Sequence, residues 1–126
     1  MTVRFTVREL DIMAALWDRG PSTVAEVREA LDDELAYNTV LTVLRILADK
    51  GHVTHEEEGR AHRYRPLVER VEAGESALKR ITRKLFSGSP ELVLTHLVQN
   101  EDVTEDEIRR MKDLLAKRLE VMEDER

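Results

Sequence analysis

Apolar residues in the first half of this chain recur every three to four positions, then every second position near the middle, then every three to four again. Leu10, Met13, Leu16 and Trp17 form one stripe, the spacing of an amphipathic helix. In front of it Thr6-Val7-Arg8-Glu9 fits a capping box, in which a threonine oxygen and a glutamate carboxylate satisfy orphan backbone N–H groups. Gly20-Pro21 ends that helix. Thr23-Val24-Ala25-Glu26 repeats the device and opens a second helix with Val24, Val27 and Leu31 on one face. Asp32-Asp33-Glu34 follows and reads as a turn, because negative charge at a helix C-terminus opposes the dipole. A third helix is predicted from Tyr37 to Lys50. It turns Val40, Val43, Leu44 and Leu47 inward and Asn38, Thr39, Thr42, Arg45 and Asp49 mainly outward. Gly51 suits the left-handed position just past its end.

The period then shortens to two. Val53 and Tyr64 can both point at a core from the two strands of a hairpin, which sets Arg63 and Arg65 outward. Glu58-Gly59 supplies a tip tolerant of positive φ, and Pro66 stops the second strand. From Val68 the pattern is helical again. Leu78, Ile81 and Leu85 share a stripe, and Ser87-Gly88-Ser89-Pro90 interrupts it, with Ser89 as cap and Pro90 at the first position of a new helix. That helix carries Leu92, Val93, Leu97 and Val98. Thr104-Glu105-Asp106-Glu107 is a third capping box, and Ile108, Met111, Leu115, Leu119 and Met122 follow at near-heptad spacing.

The order helix, helix, helix, hairpin is that of a winged helix-turn-helix. The expected fold is therefore mainly α with a small β-hairpin wing: a winged helix-turn-helix over residues 1–67, then a helical dimerisation region over residues 68–126. A segment of 59 residues is marginal as a separate core. The stripe from Ile108 to Met122, with Leu78, Ile81 and Leu85, is thus expected to pair with a second copy of the chain.

Composition narrows the function. There are no cysteines, which removes disulfides, thiolate metal sites and cysteine nucleophiles. No run of about 18 apolar residues occurs, so no membrane insertion is expected and the protein reads as cytoplasmic. The net charge is −6. Residues 1–67 carry 9 basic and 12 acidic groups, so non-specific attraction to DNA phosphates should be weak. Specific binding needs only local positive surface, and Arg60, Arg63 and Arg65 lie within six residues of one another, beside Glu56, Glu57 and Glu58.

The chemistry of the third helix is that of a groove reader. Asn38 can bond adenine bidentately, Thr39 and Thr42 can meet phosphates or a thymine methyl, and Arg45 can reach guanine or phosphate. Thr23 at the start of the second helix joins this set, and Arg60, with Arg63, supplies the wing. The competing reading is a winged-helix module that binds a protein partner and no specific DNA.

The stretch AYNTVLTVLRILADKG followed by GRAHRYRP resembles the penicillinase-repressor family (BlaI/MecI type) of winged-helix repressors. ELDIMAALWDRG, TVAEV and FSGSPELVL match as well, so the resemblance runs from about Glu9 to Ala116. It implies an N-terminal winged helix, a C-terminal dimerisation region and a double-stranded palindromic operator bound by a homodimer controlling antibiotic-resistance or related stress genes. It also implies a membrane sensor protease as a partner. In antibiotic-sensing members, cleavage at an Asn-Phe bond relieves repression, and Thr95-His96 stand at the corresponding place here.

Other candidates resolve to structure. His52 and His55 are three apart on a strand and face opposite ways, while His55 and His62 can meet across the hairpin without an obvious third ligand. His96 sits among apolar residues and reads as a packing residue. Ser87 and Ser89 lack the strand–serine–helix context of a nucleophile elbow, and no glycine-rich phosphate loop is present. No catalytic activity, metal or cofactor is expected.

Overall fold

The computed structural model describes residues 3–126. The chain runs α1 (Val7–Arg19), β1 (Ser22–Thr23), α2 (Val24–Ala30), α3 (Tyr37–Asp49), β2 (Val53–Glu58), β3 (Ala61–Pro66), α4 (Arg70–Leu85), α5 (Pro90–Val98) and α6 (Glu105–Asp124). It forms two compact units, residues 1–78 and 79–126.

The first unit is a winged helix. Its core is Ile12, Met13, Ala15 and Leu16 of α1, Val24 and Val27 of α2, Val40, Leu44 and Leu47 of α3, and Val53 and Tyr64 of the sheet. The capping boxes at Thr6 and Thr23 are both formed. The buried stripe of α1 is centred on Glu9, Ile12, Met13 and Leu16. At 100° per residue, Leu10 and Trp17 fall on its flank. Leu10, expected inside, is therefore exposed, and Trp17 is half-buried.

The sheet has three strands rather than the two expected, in the order β1-β3-β2 with both pairings antiparallel. Ser22 opposes Tyr64 and Thr23 opposes Arg63. A two-residue strand has no period to detect, so the periodicity argument missed β1. The hairpin register sets Val53 opposite Pro66, His55 opposite Tyr64 and Glu58 opposite Ala61. Gly59 at the tip has φ 62°, a conformation that L residues with a Cβ adopt only at a cost.

The end of α3 shows why the wing leaves where it does. The His52 N–H donates to the Leu47 carbonyl at 2.9 Å and the Gly51 N–H to the Ala48 carbonyl at 3.0 Å. Gly51 itself has φ 81°, which completes a Schellman stop. The chain reverses there and starts β2 two residues later.

The first turns of α4 belong with the winged unit, so the division falls inside α4 and not where the chain leaves the wing. The Trp17 indole Nε1–H donates to the Val68 carbonyl at 2.9 Å, and the Arg70 guanidinium lies 5.5 Å from the Trp17 ring centre. The Ser76 hydroxyl donates to the Val3 carbonyl at 3.0 Å, and Ala73 is buried.

The second unit holds the rest of α4 with α5 and α6. Phe86 packs against His96 with ring centres 5.3 Å apart. Ser89 caps α5 with Pro90 at its first position, and Thr104 and Glu107 form the third capping box.

Candidate nucleic-acid interface

α3 carries a buried face of Val40, Leu44 and Leu47 and an opposite face of Asn38, Thr39, Thr42, Arg45, Ile46 and Asp49, all exposed. Among the described residues, Arg45, Arg60 and Arg65 have no carboxylate partner. Their charge is available to an external anion. Arg45 also lies near enough to Tyr64 to act on its hydroxyl. Burial pushes the Tyr64 phenol up, the Arg45 charge opposes that, and Tyr37 adds to it.

Not every expected DNA contact is free. Thr42 Oγ1 donates to the Asn38 carbonyl at 2.8 Å, so its hydroxyl hydrogen is engaged within the helix. Thr23 is half-buried and serves as the N-cap of α2. Its Oγ1 accepts from the Glu26 N–H at 3.2 Å, and its own N–H donates to Glu26 Oε1 at 3.0 Å. Hydrogen bonding to the carboxylate from the Thr23 backbone N–H and from its side chain, against a smaller opposing effect of burial, holds the Glu26 carboxyl below the usual range, and the Arg63 charge adds to it.

Arg63 faces outward, as strand alternation requires, but its guanidinium is engaged through Nη1 and Nε. It donates to the Pro21 carbonyl at 2.9 Å, to Glu26 Oε1 at 2.9 Å and, through Nε, to Glu58. It straps the wing to the start of α2. Arg60, at the tip, and Arg65 remain the unpaired wing cations. Sequence reasoning could not separate these three arginines, because what distinguishes them is a carboxylate 37 residues away in the chain.

One donor group was missed. α1, α2, α5 and α6 each have a Thr or Ser at the N-cap, whereas α3 has Ala36 and no side-chain cap. The Thr39 and Val40 N–H groups turn back to the Ala36 carbonyl at 3.0 and 3.2 Å, which leaves the Tyr37 and Asn38 amides at the positive end of the helix dipole without a side-chain cap. The signal in the sequence was the apolar residue before Tyr37.

His55 and His62 meet across the hairpin, stacked with ring centres 4.2 Å apart and 10° between planes. Parallel rings hold their nitrogen lone pairs side by side and do not aim them at one point. No cluster of three potential metal ligands occurs among the described residues.

Leu78, the last residue of the first unit, and Ile81, Leu85, Ile108, Leu115, Leu119 and Met122 of the second are exposed, and Met111 is half-buried. Leu115 and Leu119 are each 54% exposed, so the stripe of α6 is uncovered beyond Met111. The Thr95–His96 bond lies inside α5, where the Thr95 hydroxyl donates to the Glu91 carbonyl at 2.9 Å.

A three-helix core, a strapped wing and an exposed polar face on the third helix define a winged-helix DNA-binding regulator. The chain belongs to the penicillinase-repressor family: the model described as penicillinase repressor matches residues 5–117. It is 39% identical over 107 residues to the transcriptional regulator BlaI of Mycobacterium tuberculosis, spanning 81% of this chain and 78% of that one. The methicillin resistance regulatory protein MecI of Staphylococcus aureus is 21% identical over 119 residues, spanning 93% of this chain and 97% of its own. Among solved structures, a MarR family protein from Bacillus stearothermophilus shares the fold with a TM-score of 0.52 at 21% identity, over 95% of this chain and 76% of that one. A transcriptional regulator from Thermotoga maritima does so with a TM-score of 0.52 at 20% identity, over 96% and 78%. The protein is a DNA-binding transcriptional repressor of a family that consists of regulators and not enzymes. None of its helices is long and apolar enough to cross a membrane, among the described residues.

Proposed function

We propose that this protein acts in the cytoplasm as a homodimer on a palindromic operator and blocks transcription of antibiotic-resistance or related stress genes. The observation that carries the reading is the pairing of α3 with the wing. Asn38, Thr39 and Arg45 stand exposed on α3, and Arg60 stands at the hairpin tip with no ion-pair partner among the described residues. In this reading Asn38 and Arg45 read bases, and Arg60, Arg65 and the uncapped amides of α3 hold phosphates. Thr39 reaches either. Thr23 and Arg63 position these elements.

The stripe of α6 with Leu78, Ile81 and Leu85 supplies the dimer interface, because burying it against itself removes a large apolar surface from water. A two-fold dimer reads two half-sites about 34 Å apart, or a multiple of that. Release in this reading follows the antibiotic-sensing relatives: a membrane sensor protease acts on α5 near Thr95-His96, once that helix opens.

The test is fluorescence anisotropy of the purified protein with DNA from upstream of its own gene, at low and near-physiological salt, against a shuffled competitor. Tight binding that survives both is expected. Equal, salt-sensitive loss on both DNAs, together with failure to enrich any sequence from random DNA, would sink the reading and leave the protein-interaction module.

A further inference from the structure

We infer that Ile46 is a specificity-determining residue that reads the 5-methyl group of a thymine. The inference rests on α3 being the helix that enters the major groove.

The outward face of α3 is polar at Asn38, Thr39, Thr42, Arg45 and Asp49, and Ile46 stands among them. It is 43% exposed and turned away from the core residues Val40, Leu44 and Leu47. Positions 39, 42 and 46 are spaced i, i+3 and i+7, so Ile46 continues the strip begun by the two threonines. A solvated helix face gains nothing from a β-branched apolar residue there: the side chain lowers helix propensity and exposes apolar surface.

Thr42, the neighbour of Ile46 one turn back, has its hydroxyl hydrogen committed to the Asn38 carbonyl at 2.8 Å. The strip therefore meets the groove at Ile46 with an aliphatic surface and at Thr42 with no free donor. In the major groove the only apolar mark on a base pair is the thymine methyl; every other feature is a donor or an acceptor. Set against one of those, Ile46 would strip water from a polar group and give it no partner. Ile46 thus favours one base by contact and disfavours the others by desolvation. Arg45, its chain neighbour, has no ion-pair partner among the described residues and keeps its guanidinium for a phosphate or a guanine.

The test begins with an operator selected from random DNA by the wild-type full-length protein. Each thymine of that operator is then replaced in turn by deoxyuridine, which removes only the methyl group. Binding is measured for wild type, Ile46→Ala and Ile46→Val, with circular dichroism confirming the helix content of each. Burying one methyl corresponds to about a four-fold change in affinity. The expected result is one thymine position per half-site at which deoxyuridine weakens wild type about four-fold, weakens Ile46→Val less and leaves Ile46→Ala unchanged. Ile46→Ala should also select operators with relaxed preference at that position. Uridine effects of equal size in wild type and Ile46→Ala, or an unaltered selection profile, would overturn the inference while leaving the repressor reading intact. A wild-type protein that enriches no sequence at all would overturn both.

Discussion

Lys50, the residue after α3, places its Nζ 2.8 Å from Glu9 Oε2 on the buried face of α1. Glu9 is at once the reciprocal half of a capping box, with its Oε1 accepting from the Thr6 N–H at 2.7 Å, and the one carboxylate buried in the winged unit among the described residues. One side chain therefore fixes the start of α1 and ties it to the end of α3, 41 residues on.

The two partners are not equivalent under mutation. Removing Lys50 leaves an ionised carboxylate in the interior with one acceptor site empty, whereas Lys50 itself is half-exposed and can return to water. Lys50→Ala should lower stability by about 2 kcal/mol, more than Glu9→Gln, which removes the charge and keeps a hydrogen-bonding side chain. Urea denaturation of both variants at one protomer concentration measures the difference.

The same carboxyl predicts a pH dependence. Burial raises the Glu9 pKa, but the bond and charge of Lys50 and the bonds to Thr6 outweigh it, so the net position is below the ordinary value of 4.5. Glu26 and Glu107 are lowered as well, by their bonds to Thr23 and Thr104. A carboxyl with a depressed folded pKa contributes stability that is present above the unfolded value and disappears as pH falls through the folded one. Stability should thus hold down to about pH 5 and then decline, and the decline should be shallower in Glu9→Gln. Thermal melts from pH 6 to pH 3 give the slope; parallel curves for the two proteins would refute this assignment.

Arg60 and Arg63 should separate in a salt titration, although they stand three residues apart on one hairpin. Arg60 is unpaired, and Arg60→Ala should weaken DNA binding with a salt slope shallower by about 1 per protomer. Arg63 is committed to Glu58, Glu26 and Pro21. Arg63→Ala should weaken binding by loosening the wing while leaving the slope near the wild-type value. Matching slope changes in the two variants would mean that Arg63 leaves its internal partners for a phosphate.

Leu115→Asp combined with Leu119→Asp should give monomers by light scattering, since two carboxylates cannot enter an apolar seam unpaired. The winged unit should keep its fold, because none of its core residues lies in α6. Operator affinity should fall steeply as the two half-sites lose their linkage. A double variant that stays dimeric would move the interface elsewhere.

Most of the winged unit could be read from the chain because its signals are local. Thr6-Glu9 and Thr23-Glu26 mark two helix starts within four residues each, and Gly51 and Gly59 mark the stop and the turn by their positive φ. What escaped was non-local. β1 exists only because β3 lies beside it. Arg63 loses its freedom to a glutamate in α2 that shares no pattern with it. Thr42 looked like a free donor because its bond runs to a backbone carbonyl that every helix possesses. Leu10 was misplaced for a different reason: an apolar stripe read without Glu9 rotates away from the true one, since a buried acid with a lysine partner counts as part of the core face.

The strap at Arg63 also bears on speed. A wing already fastened to α2 has little conformational entropy left to lose when it meets DNA. Encounter then need not wait for the hairpin to find its shape, and association can approach the limit set by orientation alone. In the proposed mode of binding, the time for which a promoter stays silent after each encounter is then governed by how fast contacts made through α3 and Arg60 come undone.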